Sequence, residues 1–275
     1  MSKKKGFTLI EILVVIAIMA ILLSLLTPVL SRIEEQTKAV TCMANLRQWA
    51  LSFSMYAEEH SGQLMPNLQN GRNAPDWNTQ RRGMWYNATF AYYREPKLLL
   101  CPSATGTYAD GARAPYAAAM VPIDVTPLTI PGGVGIANAV FREYPASYGI
   151  NSWMSNPPQG VGSGRNDSWL WRNCNVKSAA DIPVLLDIDR HDNTTPLIWD
   201  EPPEYEGEPL TGNSNEMRSC CINRHSGCIN TMFLDFSVRR VGLKQLWLLK
   251  WHRQWDTGLA NPVWPQWMKY LRDYD

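Results

Sequence analysis

A carboxylate stands where an apolar chain has little use for one. Residues 7–30 are apolar but for Thr8, Glu11, Ser24, Thr27 and Pro28, and as a helix they would be about 36 Å long at ~1.5 Å per residue, enough to cross a hydrocarbon core of about 30 Å. A carboxylate within such a span costs roughly 3 kcal/mol or more, so Glu11 needs a cationic partner unless it snorkels to the interface. A cut between Gly6 and Phe7 would supply that partner, as Phe7 would then carry a charged amine one helical turn from Glu11, on the same chain or on a neighbour.

Three further groups could do chemistry. His225 and Asp235 suit a base and its orienting carboxylate, but no Ser or Cys stands near them in a nucleophile elbow. A hydrogen bond from imidazole to carboxylate across a short hairpin is the simpler expectation, with metal binding and catalysis as the alternatives. Asp187, Asp189 and Asp192 alternate with Ile188, Arg190 and His191 at the end of an apolar run and could hold Ca²⁺, although the full loop of an EF-hand is missing; a solvated loop is the competing expectation. Six cysteines, none in a C-x-x-C pair, fit an exported protein better than a reduced one. Cys220, Cys221 and Cys228 lie on or near adjacent predicted strands and are the expected participants in at least one disulfide. Glycines 133–135 and 160–164 are too short and too poorly placed for phosphate loops.

The elements that must position these groups follow from periodicity. The apolar run simply continues where a cleavable secretory signal would end in a small-residue site, and Lys3, Lys4 and Lys5 ahead of it keep the N-terminus cytoplasmic. Beyond Pro28, which should bend or locally melt the helix, Ala39, Cys42 or Met43, Leu46, Trp49 or Ala50, Phe53 and Tyr56 recur every three or four residues. They predict a helical spine to about His60, with Gly62 as its C-cap. Later, 97–101 and 183–188 read as short strands, and 219–224, 228–234 and 237–241 as an antiparallel meander with turns at 225–227 and 235–236. Leu243, Trp247, Leu248, Trp251 and Trp255 predict a docked C-terminal helix.

The expected fold class is therefore α+β: a long N-terminal helix, half transmembrane and half amphipathic, on a small antiparallel β-sheet head with irregular loops. The expected divisions are 1–6 leader, 7–30 membrane span, 31–62 spine and 63–275 head. A net charge of +1, falling to −2 without residues 1–6, gives no reason to expect nucleic acid as a partner. Twelve Trp and 19 Pro describe a loop-rich head packed with aromatic rings.

Residues 4–11, Lys-Lys-Gly-Phe-Thr-Leu-Ile-Glu, resemble the prepilin motif of type IV pilins and type II secretion pseudopilins. The resemblance implies that a prepilin peptidase cuts after Gly6 and methylates Phe7, that Glu11 serves assembly, and that Pro28 bends the helix as in many pilins. It also implies a single-pass protein of the inner membrane with an extracytoplasmic head, whose partners are other pilin or pseudopilin subunits, an assembly platform and an assembly ATPase.

Segments 42–48, 101–103, 147–151 and 224–235 further resemble a pseudopilin-like group from planctomycete, verrucomicrobial and related bacteria. The last segment resembles its H-x9-D-G signature, with His225 and Asp235 in place but Phe236 where Gly is usual, which implies a different turn or local strain. The C-terminal 246–252 and 264–267 are also similar to tails in this group. Calcium binding in the heads of related pseudopilins strengthens the case for Ca²⁺ at Asp187, Asp189 and Asp192, with a solvated loop still the first expectation. A subunit of this kind needs no catalytic residue. The alternative is a tethered head that binds or cleaves polysaccharide, which would require Trp77, Trp85, Trp153, Trp169 and Trp171 to line an open groove with paired carboxylates.

Overall fold

The computed structural model describes residues 9–66, 83–107, 117–124, 141–157, 166–189, 193–208 and 215–272. One helix, α1 (Leu9–Glu59), opens the described part of the chain and runs unbroken through Pro28. Its character changes along its length. Every residue from Leu9 to Thr37 is exposed, whereas Ala39, Cys42, Leu46, Trp49, Ala50, Phe53, Tyr56 and Ala57 are buried at the spacing the sequence predicts. The exposed part is the one described helix long and apolar enough to cross a membrane. From Leu9 to Leu30 it would reach about 33 Å.

The helix ends as expected. Gly62 sits at φ +80° and its N–H donates to the Ala57 carbonyl at 2.6 Å, the wider ring of a Schellman cap in which Ser61 is also left-handed at φ +54°. A Cβ at Gly62 would also lie 2.8 Å from Asn175 Nδ2, so the position favours glycine twice over.

The head holds two sheets. The smaller has the order β1-β2-β3 and consists of β1 (Gly106–Thr107), β2 (Ala117–Asp124) and β3 (Phe141–Ala146). The larger has the order β6-β4-β5-β7-β8, from β4 (Tyr148–Asn151), β5 (Pro183–Asp187), β6 (Asn193–Thr194), β7 (Cys228–Phe233) and β8 (Val238–Gly242). Most pairings are antiparallel, but β1 with β2 and β4 with β6 run parallel. The spine of α1 packs on β7 and β8, and on the helical turns Phe90–Tyr93 and Pro96–Leu99. Strands β4, β5 and β7 are buried on both faces, which is why β5 reads as an apolar run rather than an alternating one.

Three expected elements differ. Residues 97–101 are not a strand, because Pro96 opens a 3₁₀ turn and the Glu95 carboxylate accepts the Lys97 N–H at 3.2 Å, a helix-start signal. Residues 219–224 do not join the meander; Cys220 and Cys221 N–H both turn back to the Met217 carbonyl. The C-terminal helix stops as a 3₁₀ segment, Leu243–Leu248. There Lys250 N–H is drawn to the Asp181 carbonyl and Arg253 N–H to that of Trp169, so tertiary bonds override the periodic pattern.

Irregular backbone here is held by indoles. Trp49, Trp153, Trp171, Trp247, Trp251 and Trp267 donate their ring N–H to the carbonyls of Leu98, Pro196, Trp251, Asp200, Leu246 and Pro203. Each satisfies an acceptor that no strand ladder reaches while burying a large apolar ring. His252 joins this packing, stacked on Trp169 with centroids 4.2 Å apart and edge-on to Trp153 and Trp255. Burial holds its pKa down at about 4, against an ordinary 6.5.

A depressed histidine contributes stability that is present above pH 6.5 and lost as pH falls toward 4. The loss should reach up to about 3 kcal/mol. Asp200, raised by burial to about 6, gives a slope of opposite sign between 3.8 and 6. The expected result is therefore a difference: melting temperature against pH should fall less steeply below 6.5 in His252→Phe than in the wild type. Parallel curves would refute it.

Candidate functional site

Two places carry the chemistry. The first is the exposed apolar part of α1, where Glu11 lies in the first turn, two residues after the first described one. Gly6 and Phe7 lie outside the described residues, as does the whole leader.

The second is a buried polar cluster that the sequence hints at only in scattered pieces. Asp187 ends β5, fully buried. Its Oδ1 accepts from Arg224 Nη1 at 3.3 Å, and its Oδ2 accepts the Asn230 backbone N–H at 2.9 Å and meets His225 Nε2 at 3.2 Å. Cys42 Sγ, from the spine of α1, lies 3.5 Å from Oδ2. Cys101 Sγ lies 3.4 Å from His225 Nε2. Tyr148 donates its hydroxyl to Cys42 Sγ at 3.2 Å, and Ser103 Oγ stands 3.5 Å from His225 Nδ1.

Ser147 ties this cluster to the backbone. It separates β3 from β4, so the chain passes there from one sheet to the other. Its Oγ accepts the Cys101 N–H at 2.8 Å, while its carbonyl accepts from Ile188 N–H and from Arg224 Nη1. Arg224 Nη2 reaches the Ala117 carbonyl on β2, and Asn230 Nδ2 that of Ala39 on α1. Helix, both sheets and the 101–103 turn thus meet on one charged pair.

The electrostatics follow from that pairing. Burial opposes ionisation of Asp187, but the hydrogen bond and charge of His225 and the charge of Arg224 bring it down to about 2. Burial likewise opposes the imidazolium of His225, and the hydrogen bonds to Asp187 and Cys101 raise it to about 9. The Cys42 thiol is pushed well up, chiefly by burial. At Cys101 burial is outweighed by the hydrogen bonds with Cys42 and His225 and by Arg224, and the thiol is lowered.

Several expected arrangements are revised. His225 does not pair with Asp235. Asp235 is exposed and caps its own turn, its Oδ1 accepting from the Ser237 N–H and hydroxyl, whereas His225 points inward to Asp187. The interval between them spans β7 and its flanking turns instead. Phe236, in the position where glycine was expected, adopts φ +64°, so the local strain is present. Asp187 faces the core instead of a solvent loop, Asp189 is buried too, and Asp192 lies outside the described residues. Cys220, Cys221 and Cys228 form no disulfide, and all six cysteines are free thiols. Cys220 Sγ donates to the Met217 carbonyl while Cys221 Sγ turns to Met268 Sδ, so the neighbouring side chains take separate partners. Of the Trp residues offered for a groove, Trp85, Trp153 and Trp171 are buried, Trp169 is half-buried and Trp77 lies outside the described residues.

The residue that sequence reasoning missed is Arg224, with Cys42 and Cys101 beside it. They stood within segments noted for resemblance, yet nothing in their spacing announces that residues so far apart converge.

No curated protein and no solved structure matches the chain. Residues 1–27 match the family model described as the prokaryotic N-terminal methylation motif, so the chain opens with a prepilin-type segment, of the kind that a prepilin peptidase processes and that anchors its protein by one apolar helix.

Proposed function

We propose that the chain is a structural subunit, pilin or pseudopilin, of a type II secretion or type IV pilus-like filament. One observation carries this: the exposed apolar helix with Glu11 in its first turn continues without a break into the core of the head. A subunit built so can pack its apolar half against neighbours in a filament as readily as against lipid. Residues 1–6 are the leader, 7–30 the span, 31–62 the spine and 63–275 the head. The N-terminus is cytoplasmic, the head lies beyond the inner membrane, and the partners are the peptidase, like subunits and the assembly platform with its ATPase. The resemblance of 224–235 to the H-x9-D-G signature supports placing it in that pseudopilin-like group. Burial of Trp85, Trp153 and Trp171 gives no support to a carbohydrate-binding groove.

Glu11 provides the test. Removing a carboxylate from the span should ease insertion, while removing the attraction for the Phe7 amine of an incoming subunit. Glu11→Leu should be inserted and cleaved like wild type, shown by N-terminal mass, yet absent from sheared or cross-linked assemblies. Assembly of Glu11→Leu at wild-type levels would overturn the proposal.

A further inference from the structure

We propose that Cys42, Cys101, Asp187 and His225 form a structural site for a single divalent cation of the zinc type. The four residues come from α1, the turn after Pro96–Leu99, the end of β5 and the segment before β7, and all are buried. Their donor atoms lie within 4.8 Å of one another. Three of the six separations are close to those of a coordination shell: 3.2 Å from His225 Nε2 to Asp187 Oδ2, 3.4 Å from Cys101 Sγ to His225 Nε2, and 3.5 Å from Cys42 Sγ to Asp187 Oδ2. Tetrahedral zinc with ordinary bond lengths to sulfur, nitrogen and oxygen sets its ligands about 3.3–3.8 Å apart.

The surroundings fit a metal as well as the donors do. A histidine ligand is commonly aimed by a hydrogen bond at its other nitrogen, and His225 turns Nε2 to the cluster while Nδ1 faces Ser103 Oγ. A carboxylate ligand is commonly held by further donors, and Asp187 has the Asn230 N–H and the Arg224 guanidinium. Two thiolates and a carboxylate around a dication leave one negative charge, and Arg224 neutralises it inside a core that would otherwise penalise it. Thiolate and imidazole donors select zinc over the hard cations calcium and magnesium. The site lacks an open coordination position because all four donors are protein groups and each is buried, which is the form of structural rather than catalytic zinc.

The test uses the full-length chain in detergent, purified without chelator from zinc-supplied cells. Elemental analysis should find about one zinc per chain. In Cys42→Ser it should fall at least tenfold, while Cys174→Ser, outside the cluster, should keep it. Should Cys42→Ser fail to fold, wild-type protein stripped of metal and refilled with cobalt(II) decides: a tetrahedral cobalt spectrum with thiolate-to-metal charge transfer supports the site. Wild-type protein with less than a tenth of an equivalent and no such cobalt spectrum would overturn it. So would a peptide map showing Cys42 joined to Cys101 by a disulfide, or Cys42→Ser retaining its zinc.

Discussion

Replacing Arg224 by Met should cost the head about 3–5 kcal/mol, the largest loss expected from any single substitution outside the span. The side chain is buried with Asp187, and its two terminal nitrogens bond three groups on three segments: Ser147, Ala117 and Asp187. Met fills a similar volume but returns none of those bonds, so two carbonyls lose a donor and Asp187 loses its guanidinium partner. Domains are stable by only about 5–15 kcal/mol in total, so the variant should unfold at a clearly lower urea concentration than the wild type. Asp187→Leu alone should be damaging for the mirror reason, leaving a guanidinium in the core. Combined with Arg224→Met it should cost clearly less than the sum, with a coupling of about 1–3 kcal/mol. Urea unfolding of the detergent-solubilised chain, followed by Trp fluorescence, measures all three. Additive losses would mean that the pair does not act as a pair.

Gly6→Val should leave the six-residue leader attached to essentially every chain. The peptidase must take an extended backbone at the cytoplasmic face just ahead of the span, and a branched side chain at Gly6 obstructs that approach. The uncleaved protein should still insert, because the apolar run is unchanged, but Phe7 would then lack the free amine that Glu11 needs. N-terminal mass of the membrane form reads the outcome directly. A mature Phe7 in Gly6→Val at wild-type abundance would remove the prepilin-type account of residues 1–27.

How far these arguments could be made from sequence differs sharply along the chain. The spine was fully legible, since Ala39, Leu46, Phe53 and Tyr56 repeat at helical spacing and nothing tertiary competes with them. Strands β5, β7 and β8 were legible as apolar or β-branched runs between turn residues. The helical turn at Pro96–Leu99 and the shortened helix after Gly242 differ from expectation for two reasons: the first is a short apolar run with no period of its own, and the second has a helical period that tertiary bonds override. A single side-chain cap at Glu95, or two backbone bonds at Lys250 and Arg253, then decides their form. The buried cluster was hidden for another reason. His225 has a carboxylate ten positions along at Asp235, and local spacing favours it, but the partner it meets lies on β5, and only the register β5–β7 brings Asp187 within reach. Sheet register is a property of the whole head, and no window of sequence contains it.

Because Cys42 and Asn230 join α1 to β5 and β7 while the same helix continues as the membrane span, anchor and head share one continuous helix with no linker between them. Any machine that lifts the span out of the bilayer pulls on the head through that helix. The load arrives in shear, spread over the buried face from Ala39 to Ala57, rather than peeling one strand at a time. A movement of one residue's rise, ~1.5 Å, is transmitted as ~1.5 Å at the far end of the helix. Steps taken at the membrane are passed to the head along that one helix.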